Sequence, residues 1–218
     1  MRYLYRTTKR LLAAGPALTA MIGRSGRGLG VPPVGTMLLM FLLIVSGPTT
    51  PVSAAGPSLP AFGGGAVEVR VYTDYFCKPC RAEEQEVMEA ITKLLAKNRI
   101  RVIFIDTPIH PETVLYAGYF LAAIQAKREF GQAVKARAAL FEAAGLQIKE
   151  KDKLEGFLAM KGLQIQPYNT VPIFAILSEY MKEDRINATP TIVILGPRGK
   201  HIPGNKEQIL KALGDLRK

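Results

Sequence analysis

The chain has 218 residues, which suggests one domain, or one domain that carries a second small module. Apolar residues make up 48% of the sequence and charged residues 22%, so a wholly disordered, collagen-like or coiled-coil protein is excluded. Two cysteines are too few for a disulfide-stapled miniprotein or for a zinc site built from cysteine alone. The net charge is +11, but residues 1–54 contribute six basic residues and no acidic one. The remaining excess is weak evidence for nucleic-acid binding, which requires a clustered basic face, and no nucleic-acid partner is expected.

The first 54 residues have the three parts of a secretory signal peptide. A basic segment comes first, and the uninterrupted apolar run Met37–Val45 follows. Val52-Ser53-Ala54 then has the small residues that are typical of a cleavage site. The apolar run is too short to span a bilayer comfortably. We therefore expect cleavage near Ala54 and a periplasmic or otherwise extracytoplasmic location, with an uncleaved N-terminal anchor as the alternative. Export would place the two cysteines in an oxidising compartment.

The next part of the chain predicts the beginning of an α/β domain. Residues 55–65 are rich in Pro and Gly and are interpreted as a flexible lead-in. Ala66–Thr73 alternates in hydrophobicity, whereas Arg99–Asp106 is apolar on both faces, as is typical of a buried parallel strand. Lys78–Lys97, between them, has helical spacing. Together these segments predict one right-handed strand–helix–strand unit.

A long helical segment then separates this unit from the last strands. Residues 109–186 are predicted as a helical insertion, which divides a domain formed by residues 66–108 and 187–218. The predicted helices of the insertion lie around Val114–Ile124, Ala133–Ala144, Lys151–Met160 and Val171–Lys182. The last predicted elements are the strand Thr191–Leu195, a short return strand Lys200–Ile202 and a closing helix Lys206–Leu216.

The motif Cys77-Lys78-Pro79-Cys80 follows the first predicted strand directly and opens the first predicted helix. The free N–H groups and the positive dipole end of a helix N-terminus favour a thiolate, and nearby Lys78 and Arg81 add positive charge. We therefore expect a lowered cysteine pKa at this motif. Two intervening residues allow the sulfurs to form a small-ring disulfide. One thiol can then attack a substrate while the other resolves the mixed disulfide.

Two other interpretations of the cysteine pair were weighed. A structural disulfide across two residues closes a very short loop and constrains little of the unfolded chain. A metal half-site would need two more ligands, and the obvious candidates, His110 and His201, do not have ligand spacing. The position between a strand and a helix favours redox use, without a metal or cofactor.

Tyr72–Arg81 (YTDYFCKPCR), followed much later by Ala188-Thr189-Pro190-Thr191, resembles the thioredoxin superfamily. Cys80 and Pro190 are 110 positions apart, and the long helical insertion between them resembles the DsbA-type branch. The resemblance covers about Val67–Leu216. It implies a thioredoxin fold with an inserted all-helical domain, and an exported enzyme that catalyses thiol–disulfide exchange.

The resemblance also implies roles for individual residues. Cys77 would be the exposed nucleophile and Cys80 the resolving thiol. Pro190 would be a cis proline beside the disulfide, and Thr189 would offer its backbone to the substrate. Phe76, next to the nucleophile, is a candidate substrate contact, although packing is the commoner role of such an aromatic residue.

The surroundings of the cysteines include one departure from the family. Lys78 and Pro79, between the cysteines, are predicted to tune the thiol pKa. Many family members carry a buried acid six residues before the first cysteine, whereas this chain has Val71 there. Neither Glu68 nor Asp74 is placed by strand alternation and spacing as a substitute for that proton shuttle.

We therefore expect a monomeric, exported thiol–disulfide oxidoreductase that acts on unfolded or cysteine-containing exported proteins. The motif is compatible with oxidation, reduction or isomerisation of disulfides, and an oxidase would need a membrane redox partner to reoxidise it. The monomer is expected because no dimerisation module precedes Val67. Two alternative functions remain open at this point. One is a dedicated electron carrier to a single partner, as in cytochrome maturation; the other is a non-enzymatic exported binding module with an inert disulfide.

Overall fold

The structure, a computed structural model, describes residues 59–167 and 169–217. The predicted signal peptide and its cleavage position lie outside these residues. The elements in chain order are β1 (Ala61–Phe62), β2 (Val67–Thr73), α1 (Lys78–Ala96), β3 (Ile100–Asp106), α2 (Thr113–Ala126), α3 (Phe130–Gly145), α4 (Lys151–Met160), α5 (Val171–Asp184), β4 (Thr191–Gly196), β5 (Gly199–His201) and α6 (Lys206–Asp215). Within the described residues, no helix has both the length and the apolar character needed to cross a membrane.

The described strands form one mixed sheet in the order β1-β3-β2-β4-β5. β2 and β3 are parallel, with Val71 opposite Phe104, whereas β4 runs antiparallel to β2 and β5 runs antiparallel to β4. The predicted strand–helix–strand unit is therefore confirmed as β2–α1–β3. The predicted α/β class is also confirmed.

The core lies around the two central strands. Every residue of β3 is buried except Arg101, as the apolar character of both its faces predicts. Helix α1 buries an apolar stripe formed by Val87, Met88, Ile91 and Leu94. Full burial of one such aliphatic side chain stabilises the fold by roughly 1.5–3 kcal/mol relative to its exposure. This packing fixes α1, and with it the cysteines at its N-terminal end, relative to the sheet.

The short strand β1 was not predicted from the sequence. It pairs antiparallel with β3, and Phe62 is buried with its ring centroid 6.0 Å from that of Phe104 and 5.9 Å from that of Phe130. The segment predicted as a lead-in, residues 55–65, thus contains a short paired strand at Ala61–Phe62. Burial of the aromatic ring offsets the entropy that a Pro- and Gly-rich segment loses on ordering.

The four helices α2 to α5 lie between β3 and β4 in the chain, where the helical insertion was predicted. The packed face of α3 consists largely of small side chains, which let neighbouring helices approach closely. The buried alanines of α3 are Ala133, Ala136, Ala139, Ala143 and Ala144.

A buried ion cluster holds the end of α5 to the sheet. Arg70 of β2 binds both Asp184 and Glu183, each at 3.0 Å, and Lys200 of β5 lies 2.6 Å from the Asp184 carboxylate. The Tyr72 hydroxyl donates to the same carboxylate. Because β4 begins seven residues after Asp184, this cluster also positions the point where the chain re-enters the sheet.

Candidate active site

Cys77 is the N-cap residue of α1. Its backbone is extended (φ −70°, ψ 114°), and its sulfur accepts a hydrogen bond from the backbone N–H of Cys80 at 3.3 Å. Pro79 lies in the first turn, where a missing N–H costs no helical hydrogen bond. An N–H donor and the positive end of the helix thus both point at the Cys77 sulfur, an arrangement that stabilises negative charge there.

Cys80 lies one turn inside the helix and has a different environment. Cys77 is 9% exposed and Cys80 is 1% exposed, and both are free thiols in the structure. Burial raises the pKa of the Cys80 thiol to about 12. Cys77, expected as an exposed nucleophile, is thus largely buried in the structure, but it is the more exposed of the two thiols.

The two residues predicted from the far end of the chain lie beside this pair. The Thr189–Pro190 bond is cis, as the resemblance implies. The Cys77 thiol donates a hydrogen bond to the Thr189 carbonyl at 3.4 Å. Pro190 lines the same small cavity as Cys80. The structure thus brings together the two segments that the resemblance paired, although 112 residues separate Cys77 from Thr189.

The remaining predicted site residues, Lys78, Pro79 and Phe76, lie within the motif or directly before it. Lys78 and Pro79 are exposed on the first turn of α1. Phe76 is half-buried, its ring lies 5.0 Å from that of Tyr116 in an edge-on arrangement, and Lys149 Nζ lies 5.9 Å above it. Phe76 therefore packs against the helical insertion and remains partly exposed.

Asp74 is a structural residue of the site that was not predicted from the sequence. Its fully buried carboxylate accepts hydrogen bonds from the backbone N–H groups of Phe76 at 2.8 Å, Ile109 at 2.9 Å and His110 at 2.8 Å. The His110 ring nitrogen lies 3.1 Å from the same carboxylate. Asp74 thus joins the loop before Cys77 to the loop after β3. An Asp that follows a strand and bonds the N–H two residues on is an Asx turn, and that signal was available in the sequence.

A second network, which was also not predicted, joins α1 to helix α3 and to the end of β2. Arg137 of α3 is completely buried and binds both carboxylate oxygens of Glu84, each at 2.7 Å, and the Thr73 hydroxyl at 3.1 Å. Asp106, at the end of β3, lies 3.9 Å from the same guanidinium. Burial raises the pKa of Asp106 to about 7 despite this cation, because the close contacts of Arg137 are with Glu84.

The two histidines that were considered as metal ligands have other surroundings in the structure. His110 is bound to Asp74, and His201 is exposed on β5. Within residues 59–167 and 169–217, no group of three or more His, Cys, Asp or Glu side chains is arranged to hold a metal ion.

The thioredoxin family model matches residues 65–214 of the chain. Because this match covers more than half of the chain, the protein belongs to the thioredoxin family. A search of functionally curated proteins finds no significant match.

Several solved structures share the fold. They include reduced DsbA1 from Neisseria meningitidis, with 19% sequence identity, a TM-score of 0.54, and coverage of 75% of this chain and 87% of that chain. Alpha-DsbA1 from Wolbachia pipientis has 16% identity, a TM-score of 0.55, and coverage of 74% and 94%. A periplasmic thioredoxin-like protein from Salmonella enterica serovar Typhimurium has 16% identity, a TM-score of 0.55, and coverage of 76% and 94%. At these identities the likeness concerns the fold, and it confirms the predicted DsbA-like thioredoxin fold.

Proposed function

We propose that this protein is an exported thiol–disulfide oxidoreductase that exchanges disulfides with cysteine-containing proteins through Cys77 and Cys80. The observation that carries the proposal is the asymmetry of the pair. The Cys77 sulfur caps α1 and accepts the Cys80 N–H at 3.3 Å, whereas Cys80 is buried one turn further on. Membership of the thioredoxin family supports the same chemistry.

The exchange reaction follows from this asymmetry. A substrate thiolate attacks the Cys77 sulfur of the Cys77–Cys80 disulfide, and Cys80 leaves with the bonding electron pair. A second substrate thiolate then attacks the substrate sulfur of the mixed disulfide and expels Cys77 as a thiolate. The substrate dithiol is oxidised by two electrons and the protein disulfide is reduced by two. Cys77 is the better leaving group of the pair because the N-terminal end of α1 stabilises its negative charge.

Substrate binding is proposed to use the backbone at Thr189. The Thr189 carbonyl lies at hydrogen-bonding distance from the Cys77 thiol, so a substrate segment that reaches this sulfur passes beside that backbone. A substrate could add there as a short extended strand, gaining main-chain hydrogen bonds without a sequence preference. Half-buried Phe76 and exposed Ile109, whose backbone N–H groups both bind Asp74, offer apolar contact near the motif. This arrangement suits unfolded or flexible cysteine-containing chains.

The proposal is tested by trapping with the Cys80→Ala variant. Without Cys80, a mixed disulfide between Cys77 and a substrate cannot be resolved by the protein, so partners should remain linked and can be identified by mass spectrometry. The Cys77→Ala/Cys80→Ala variant is the matched control and should capture nothing. Many exported partners would support a general oxidoreductase, whereas a single partner would identify a dedicated electron carrier. Equal recovery with both variants would contradict exchange through Cys77.

Export is proposed on the basic, apolar and small-residue segments within residues 1–54. Expression with its own N-terminus in a Gram-negative host should yield extracytoplasmic protein that begins near Ala55, as read by N-terminal sequencing. An intact N-terminus in the membrane fraction would identify an anchor instead.

A further inference from the structure

Exchange through Cys80 requires a proton at a buried position. Cys80 is 1% exposed, and burial raises the pKa of its thiol to about 12. When Cys80 leaves the disulfide as a thiolate near neutral pH, it must take up a proton; in the reverse reaction its thiol must lose one. Because solvent hardly reaches the sulfur, a neighbouring acid–base group would accelerate both directions.

Glu83 lies one helical turn after Cys80 on the same face of α1. Both residues line one small cavity of about 10 Å³, whose other walls include the apolar side chains of Val71, Pro190 and Ile192. This volume is on the scale of a single water molecule. Glu83 as a whole is partly exposed, but its Oε2 atom is inaccessible to solvent and has no hydrogen-bond partner among residues 59–167 and 169–217. A buried carboxylate oxygen of Glu83 thus borders the same small cavity as the thiol that must change its protonation state.

Glu84, the second acidic residue that lines this cavity, is paired with Arg137. Both oxygens of Glu84 accept hydrogen bonds from Arg137 at 2.7 Å, so neither oxygen can exchange a proton with Cys80 without breaking that pair. The charges that face Glu83 are those of Lys206 in α6 and Glu86 in its own helix, and these two also bind each other. Burial raises the pKa of Glu83 above its ordinary value, so its carboxyl group can hold a proton closer to neutral pH.

We propose that Glu83 is the group that gives a proton to Cys80 and takes it back, an inference that rests on the proposed function. When a substrate thiolate opens the disulfide, the Glu83 carboxyl group donates its proton to the departing Cys80 sulfur and becomes a carboxylate. In the reverse direction, the Glu83 carboxylate accepts the proton of Cys80. The Cys80 sulfur then attacks Cys77 in the mixed disulfide, and the substrate leaves as a thiolate. Val71 supplies no acid from the strand side of the cavity, and Glu83 supplies one from the helix side.

The test separates the two steps of oxidation by oxidised glutathione. Reduced full-length protein is mixed with oxidised glutathione, quenched with acid at set times and analysed by mass spectrometry. This method counts the reduced protein, the mixed disulfide and the internal disulfide. Formation of the mixed disulfide reports attack by Cys77, and its conversion to the internal disulfide reports attack by Cys80. The variants compared are Glu83→Gln, Glu83→Asp and, as a matched control at an exposed position of the same helix, Glu89→Gln.

In Glu83→Gln we expect the second step to slow by roughly 100-fold at pH 7 while the first step is unchanged, so the mixed disulfide accumulates. In wild type, the rate of the second step should stop rising with pH once Glu83 is ionised. In Glu83→Gln it should rise about tenfold per pH unit, because hydroxide then becomes the base. Glu83→Asp should restore part of the rate, and Glu89→Gln should behave as wild type.

Two results would overturn the role of Glu83. One is a second step in Glu83→Gln with the wild-type rate and pH profile. The other is an equal slowing of both steps, which would mark a structural effect. Absence of any internal disulfide in wild type would instead contradict the proposed function itself, so the two failures are distinguishable.

Discussion

Arg137 binds Glu84 through two parallel hydrogen bonds, from Nε and Nη2 to the two carboxylate oxygens, each 2.7 Å long. The pair joins α3 of the helical insertion to α1, the helix that begins beside Cys77. Because Arg137 is completely buried, its charge depends on protein partners rather than on water.

Removal of one member of this pair should therefore be costly. We expect Arg137→Met to lower the free energy of unfolding by about 3–5 kcal/mol, because it leaves Glu84 without its cation in a largely buried site. Urea unfolding at pH 7 measures this loss. Glu84→Gln introduced together with Arg137→Met should recover part of it. An Arg137→Met variant as stable as wild type would contradict the importance of the pair.

Asp106 should make stability depend on pH. Its folded pKa of about 7 lies above the ordinary value, so the folded state holds this proton more tightly than the unfolded chain. The resulting stabilisation is fully present below the unfolded pKa and is lost as pH rises through about 7. Asp106→Asn cannot ionise, so the stability of wild type relative to this variant should fall between about pH 4 and pH 8. A constant difference in urea unfolding across that range would contradict the assignment.

Asp74 should control the order of the loop after β3. In Asp74→Ala the backbone N–H groups of Ile109 and His110 lose their acceptor, and we expect faster amide hydrogen exchange there. The control is His110→Ala, which removes the ring contact and keeps both backbone bonds. Unchanged exchange in Asp74→Ala would mean that other contacts hold the loop.

The two thiols should react with alkylating agents at different rates. In reduced protein we expect Cys77 to be modified first, because it lies at the end of the helix and is the more exposed of the two. Cys77→Ala should then react much more slowly than Cys80→Ala with iodoacetamide, as followed by mass spectrometry. Faster modification of Cys80 would reverse the proposed roles.

Much of this fold follows from sequence patterns, because the central strands and α1 bury regular apolar faces. The strand β1 could not be predicted, because two residues in a Pro- and Gly-rich segment have no periodicity, and Phe62 is ordered by tertiary contact with Phe104. The helical pattern of α3 likewise does not show that Arg137 points inward, since its partners Glu84 and Asp106 lie on other elements.

The candidate site, like the fold, could be predicted from the sequence only in part. The cysteine motif and its position at a helix start were readable from local sequence, and Thr189 and Pro190 were paired with it through the family resemblance. The role of Asp74 in joining two loops, and the role proposed for Glu83, were not predicted, because both depend on which oxygen atoms are buried and partnered. Strand alternation and helical spacing do not contain that information.

Reversible formation of the Cys77–Cys80 disulfide is the property on which the proposed function depends most directly. The measurement is equilibration of the full-length protein with defined ratios of reduced and oxidised glutathione, followed by acid quench and mass spectrometry. Wild type should pass reversibly between the dithiol and the internal disulfide, whereas Cys80→Ala should stop as a stable glutathione adduct at Cys77. A pair that stays in one redox state at every ratio, or an adduct that forms equally well in Cys77→Ala, would contradict exchange through this site.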